Sequence, residues 1–268
     1  MLVLIGSSPQ EVARLAADQV LAGLKFHGAG SEPVLGLATG SSPLGLYREL
    51  AVAVSEGRAD FSRAQGFALD EYIGIPDTHA QSYRQTLINE VCSVIGLPRE
   101  GLHVPLGVAE SVADLEKAAA AYDESIRQAG GVQVQILGIG ANGHLGFNEP
   151  GSSLRSRTRI KRLAAQTRED NARFFEGIDS VPTHCVTQGL GTVLEAKRLV
   201  LVATGPGKAQ AIAAAVEGPL SASCPGSVLQ LHEDAVVVLD EAAAAGLTQV
   251  QYYNDSAAGI SDADLHLG

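Results

Sequence analysis

Short aliphatic runs, "LVLI", "VLGLAT", "GFALD", "VQILGIG", "RLVLVAT" and "AVVVLD", recur along this chain with alanine-rich stretches of helical length between them. This alternation limits the fold more than any other feature. A strand that is apolar on both faces must be covered on both, and a helix between successive strands supplies the cover in a βαβ unit. The expectation is therefore an α/β fold: a Rossmann-like open, mostly parallel sheet with helices on both faces. The covering helices are expected in "SPQEVARLAADQVLAGLKFH", "SPLGLYRELAVAVSEG", "SYRQTLINEVCSVIG", "SVADLEKAAAAYDESIRQAG" and "GKAQAIAAAVEG". Ser8 and Ser42 stand beside Pro9 and Pro43, an arrangement suited to capping a helix whose first turn tolerates proline. No fixed-period repeat or Pro/Gly-rich linker divides the sequence, so residues 1–268 read as a single domain.

Charge narrows the function classes. With a net charge of -11 the chain is a poor match for nucleic acid or an anionic membrane, both of which reward clustered positive charge. A small anion remains compatible, because a few local donors can bind it against the global charge. The N-terminal apolar run is too short to span a bilayer and has no basic segment before it, so a cytoplasmic location is expected. Cys92, Cys185 and Cys224 are odd in number and widely spaced, which suits reduced thiols. No histidine spacing matches a metal motif, and no metal is expected.

Ligands of open α/β sheets bind beyond the carboxyl ends of the strands, so the residues that follow each strand carry most of the information. In "LATGSSP", Thr39, Gly40, Ser41 and Ser42 sit between a strand and a helix, where N–H groups and hydroxyls can face an anion; an ordinary capped turn accounts for them equally well. "FALDEYIGI" delivers Asp70 and Glu71 at a strand end, where a general base is useful or where a solvated terminus is commonplace. Strand alternation sends the two carboxylates to opposite sides, so at most one faces a given substrate.

Gly138, Gly140 and Gly143 of "QILGIGANGHLGFNEP" satisfy the dinucleotide spacing G-x-G-x-x-G. That reading requires a helix from the third glycine and an early place in the chain, whereas here "HLGFNEPG" follows, rich in helix breakers. What remains is a glycine-rich loop carrying Asn142, His144 and Glu149, with a histidine and a carboxylate suited to proton transfer. "VATGPGKAQAI" lacks the hydroxyl after Lys208 that a P-loop needs, but Lys208 near a helix start can meet a phosphate as a point charge. Residues 150–185 interrupt the alternation with a polar, arginine-rich excursion, and about 160–185 is a candidate active-site lid.

In order, "ATGSSP", "LDEY", "GANGHLGFNEPGSSLRSRTRIK", "NARFF", "GPGKAQAIAAAVEG" and "LQLH" resemble the glucosamine-6-phosphate deaminase family, from about residue 34 to about residue 254. More distantly the chain is similar to the 6-phosphogluconolactonases. The resemblance implies conversion of glucosamine 6-phosphate and water to fructose 6-phosphate and ammonia. It implies Asp70 as the base that moves the C2 proton to C1, and His144 as the proton carrier for ring opening, with Glu149 and Asn142 completing the set. Some family members carry Asp at the Asn142 position; an amide cannot share a proton, so Asn142 is expected to orient His144. By resemblance the phosphate falls to Thr39, Gly40, Ser41, Ser42, Arg173 and Lys208, with Tyr83 approaching the substrate and no cofactor required. Ser152, Arg159, Lys161 and Tyr252 match positions of an allosteric site found between subunits in some members, which makes a homo-oligomer and activation by N-acetylglucosamine 6-phosphate open questions for this chain. A solvated basic strand accounts for Arg159 and Lys161 equally well.

Three alternatives define what has to be distinguished. A lactonase on the same scaffold is disfavoured by "GFNEP" after the histidine and by "DEY" after the strand. A sugar-phosphate sensor of the repressor type is disfavoured because the first strand begins at Leu2, leaving no room for a preceding DNA-binding unit. Deamination of another amino-sugar phosphate stays compatible with every motif.

Overall fold

The computed structural model describes residues 1–25 and 32–259. Strands β1 (Leu2–Gly6), β2 (Val34–Leu37), β3 (Gln65–Ala68), β4 (Asp70–Tyr72), β5 (Leu102–His103), β6 (Val134–Leu137), β7 (Arg159–Arg162), β8 (His184–Thr187), β9 (Arg198–Ala203) and β10 (Ala235–Asp240) form two sheets. The larger is seven-stranded in the order β1-β10-β9-β6-β2-β3-β5. Each of its neighbouring pairs runs parallel. Its central strands are buried throughout, as their continuous apolar character demands, and helices Pro9–Lys25, Leu44–Ser55, Val112–Gln128 and Ala209–Val216 contribute to the core around it. The α/β fold and parallel sheet expected from the sequence are what the chain adopts. Phe26 and His27, the end of the first expected helix, lie outside the described residues.

The smaller sheet is antiparallel in the order β4-β8-β7; of its strands only β7, the basic strand considered for Arg159 and Lys161, is foreshadowed by the sequence. The run "FALDEY" is not one strand. It leaves the main sheet at Leu69 and joins the small sheet at Asp70, so the acidic pair lies at a junction between the two sheets. The excursion that follows Pro150 supplies β7, helix Ala165–Asn171 and the start of β8.

Two caps differ in outcome. Ser8 Oγ accepts from Glu11 N at 3.2 Å, as a capping serine does. Ser42 does not cap: the N-cap of helix Leu44–Ser55 is Pro43, without a side-chain bond, and Ser42 lines a cavity instead. That helix is anchored by the buried Tyr47, whose hydroxyl accepts from Ala38 N at 3.1 Å and donates to Ala38 O at 2.9 Å, fixing the end of β2 just before Thr39.

Candidate active site

Strands β9, β6, β2 and β3 are consecutive neighbours, and every one of them ends at the same cavity. Of roughly 400 Å³, it is lined by Thr39, Gly40, Ser41 and Ser42 after β2, Asp70 after β3, Gly138, Gly140 and His144 after β6, and Lys208 after β9. Tyr83 and Arg173 also line it. β2 lies between β3 and β6, so the chain departs in opposite directions on either side of it, the arrangement that opens a crevice at strand carboxyl ends.

The two acids at the sheet junction have different tasks. Glu71 turns away from the cavity and accepts from Tyr83 N and Arg84 N, each at 3.0 Å, and from Tyr72 N at 2.8 Å. Together with Ser82 Oγ, which accepts from Gln85 N, it satisfies the first N–H groups of helix Tyr83–Leu87. Asp70 faces the cavity yet is only 5% exposed. Burial, reinforced by the charge of Glu71, pushes its carboxyl up to about 8 despite the opposing hydrogen bonds from Phe147 and Thr187. The Thr187 hydroxyl lies 3.5 Å from Asp70 Oδ2, a long contact, and itself accepts from Phe147 N at 3.2 Å.

Close backbone approaches shape the glycine loop. Gly140 N donates to His144 O at 2.9 Å, and Gly226 N donates to Gly143 O at 2.7 Å. A Cβ on Gly140 would stand 2.3 Å from the His144 ring, and Gly146, with φ of +54°, would place one 2.9 Å from Asp70 Oδ2. The segment after Gly143 folds into turns and a Leu145–Asn148 bridge, with no helix for a dinucleotide.

His144 Nδ1 stands 3.4 Å from Glu149 Oε2, an ion-pair distance whose alignment falls short of a hydrogen bond. Asn142 Nδ2 donates to the same Oε2 at 2.8 Å, and its Oδ1 accepts from His144 N at 3.1 Å. Thr167 Oγ1 donates to Glu149 Oε1. Burial alone would raise the Glu149 carboxyl, but His144, Thr167 and Asn142 outweigh it and hold it down at about 2. His144 lines the cavity; Asn142 and Glu149 stand behind it.

The Thr39–Ser42 loop shares the cavity wall with two cations, Arg173 and Lys208. Lys208 is half-buried; burial lowers its pKa, the charge of Arg173 adds to that, and Asp170 opposes it. The Arg173 guanidinium lies 4.7 Å from the Phe174 ring centre. Among the described residues, no three His, Cys, Asp or Glu side chains converge as a metal site.

Several further residues shape the cavity, two of them, Tyr72 and Asn171, within the motifs "LDEY" and "NARFF". Tyr72 is buried, its hydroxyl accepting from Asn171 Nδ2 at 2.9 Å and lying 3.4 Å from that of Tyr83. Burial pushes the Tyr72 phenol up to about 12, so it stays neutral. Thr167, Asp170 and Asn171, on helix Ala165–Asn171, also line the cavity. For Thr167 and Asp170 the one signal in the sequence is the length of the polar excursion. Of the four residues of the allosteric resemblance, Arg159 and Lys161 lie in β7, Ser152 is buried, and Tyr252 is 64% exposed on helix Val250–Ala258, which packs against β1.

The profile of the family described as Glucosamine-6-phosphate isomerases/6-phosphogluconolactonase matches residues 7–238. The chain belongs to this family. A glucosamine-6-phosphate deaminase of Cutibacterium acnes is 53% identical over 253 residues, covering 94% of this chain and 95% of the relative. One from Streptomyces avermitilis is 54% identical over 236 residues, covering 88% and 89%. Among solved structures, a monomeric glucosamine-6-phosphate deaminase superposes with a TM-score of 0.86 at 36% identity, covering 92% of this chain and 100% of that one. The 6-phosphogluconolactonase of Trypanosoma cruzi, with a TM-score of 0.72, 20% identity and 92% and 97% coverage, shares the fold.

Proposed function

We propose that this protein converts glucosamine 6-phosphate and water to fructose 6-phosphate and ammonia, with Asp70 as the base of the isomerisation. The observation that carries this reading is Asp70 itself, buried at the cavity wall across from the glycine loop of His144 and held near a pKa of about 8. A base that takes a proton from C2 and returns it at the adjacent C1 must bind that proton well in between, and a carboxyl at its ordinary value would bind it weakly at neutral pH.

The remaining roles follow from position. The Thr39–Ser42 loop, Arg173 and Lys208 hold the phosphate, so the sugar extends toward Asp70 and His144. His144, steadied by Glu149 and Asn142, carries the proton between the anomeric hydroxyl and the ring oxygen as the ring opens. Asp70 then removes the C2 proton to give an enolamine and returns it to C1, leaving an iminium at C2; water adds to C2 and the resulting carbinolamine expels ammonia to leave the C2 ketone. Tyr83 and the neutral Tyr72 wall the sugar. The same reading assigns the enzyme to the cytoplasm, a reducing compartment that suits three free thiols.

The test is ammonia release across a panel of amino-sugar 6-phosphates, with and without N-acetylglucosamine 6-phosphate. Release of ammonia and fructose 6-phosphate from glucosamine 6-phosphate is expected. Background-level release at millimolar substrate, or faster hydrolysis of 6-phosphogluconolactone, overturns the reading.

A further inference from the structure

Both oxygens of the Glu149 carboxylate are engaged, and they are engaged from different parts of the chain. Oε2 faces Asn142 and His144, within the loop that follows β6. Oε1 accepts from the hydroxyl of Thr167, which is only 5% exposed and sits on helix Ala165–Asn171 in the excursion over the strand ends. Just beyond that helix, Arg173 lines the cavity. One short stretch of chain, from Thr167 to Arg173, therefore touches both the carboxylate behind His144 and the site assigned to the phosphate.

We infer that Thr167 is a positioning residue for ring opening: its hydroxyl fixes the rotation of the Glu149 carboxylate, so that Oε2 is presented to His144 Nδ1 while the other ring nitrogen is left to the substrate. This inference rests on the ring-opening role given to His144 above. The physical reason is that a carboxylate held on one oxygen alone can rotate about its last side-chain bond, a broad torsion with little intrinsic preference. A donor on Oε1 removes that freedom. The Nδ1 contact at 3.4 Å is too long to fix the carboxylate by itself. Thr167 has no place in the proton transfers, since its hydroxyl is spent on Oε1, and it acts through Glu149.

The test compares Thr167→Val, which keeps the shape and loses the hydroxyl, with Thr167→Ser, which keeps the hydroxyl. Each is assayed on the closed-ring substrate and on an open-chain analogue that bypasses ring opening. For Thr167→Val, kcat on the closed-ring substrate should fall on the order of tenfold to a hundredfold, part of a general acid–base contribution of about 10²–10⁴. KM and turnover of the open-chain analogue should stay near wild type, and Thr167→Ser should restore most of the lost rate. The Glu149 carboxyl, followed by carbon NMR, should titrate at higher pH in the Val variant and return toward wild type in the Ser variant. If Val fails to fold, Thr167→Ala carries the same comparison. Equal loss on both substrates, no loss on either, or failure of Ser to restore the rate overturns the assignment. A His144→Gln control separates the two levels of inference: if it too slows both substrates equally, the ring-opening role has failed, whereas a selective His144→Gln beside an unselective Thr167→Val refutes Thr167 alone.

Discussion

At the scale of single residues, Asp70 departs far from ordinary carboxyl chemistry. Its folded-state pKa of about 8 lies above that of a carboxyl in an unfolded chain, so the native state keeps a proton the unfolded state has released. The resulting stabilisation is complete at pH below about 3.9, the unfolded value, and is lost as pH rises through about 8. Replacing Asp70 by Asn removes the cost of a buried charge. Asp70→Asn should melt at a higher temperature than wild type at pH 9, with a gain of about 5 kcal/mol at most, and the gap should narrow at pH 5 and close only below about pH 4. The same variant should lose exchange of the substrate C2 proton with solvent while phosphate binding persists; normal exchange would refute the base assignment. In the wild-type enzyme the acid limb of kcat/KM should titrate near pH 8, because the free enzyme must release that proton before Asp70 can act.

Among the elements, the glycine loop after β6 and the helix above it show what the sequence could and could not reveal. The loop was legible because glycine, histidine and acid sit together in a short stretch, and because the breakers after Gly143 exclude a helix. The physical need for Gly140 was not legible, since it arises from the His144 ring folding back onto the Cα of Gly140. Gly140→Ala should displace His144 and cost about 10² in kcat, the scale of a 1 Å misplacement, while destabilising by roughly 1–3 kcal/mol. A wild-type kcat in this variant would mean that the histidine can move without penalty. The small sheet escaped sequence reasoning for a different reason. β7 reads "RIKR" and β8 reads "HCVT", too short and too polar to show a two-residue period, and their pairing with β4 is set by contacts far apart in sequence. Thr167 was hidden likewise, because a threonine in a polar helix carries no signal until Glu149 is brought against it; Asn171 stood within "NARFF", but its bond to Tyr72 could not be read there.

For the molecule as a whole, the chain reconciles a net charge of -11 with an anionic ligand by concentrating a few donors where four strands end. A phosphate group would add counter-charge where Arg173 disfavours the charge of Lys208 and Asp170 supports it. A ligand that binds only the folded state stabilises it by mass action, about 2.7 kcal/mol at a hundred times its dissociation constant. For a chain of this size each kcal/mol shifts the melting temperature by about 2–4 °C, so saturating fructose 6-phosphate should raise Tm by roughly 5–10 °C. Unphosphorylated fructose at the same concentration should do nothing. In the Arg173→Gln, Lys208→Gln double variant the shift should vanish while the unliganded Tm stays at or slightly above wild type, because removing two cations that repel each other costs the empty protein little. A double variant that keeps the full ligand shift would place the phosphate elsewhere in the cavity, and one that melts far lower without ligand would make the two cations structural.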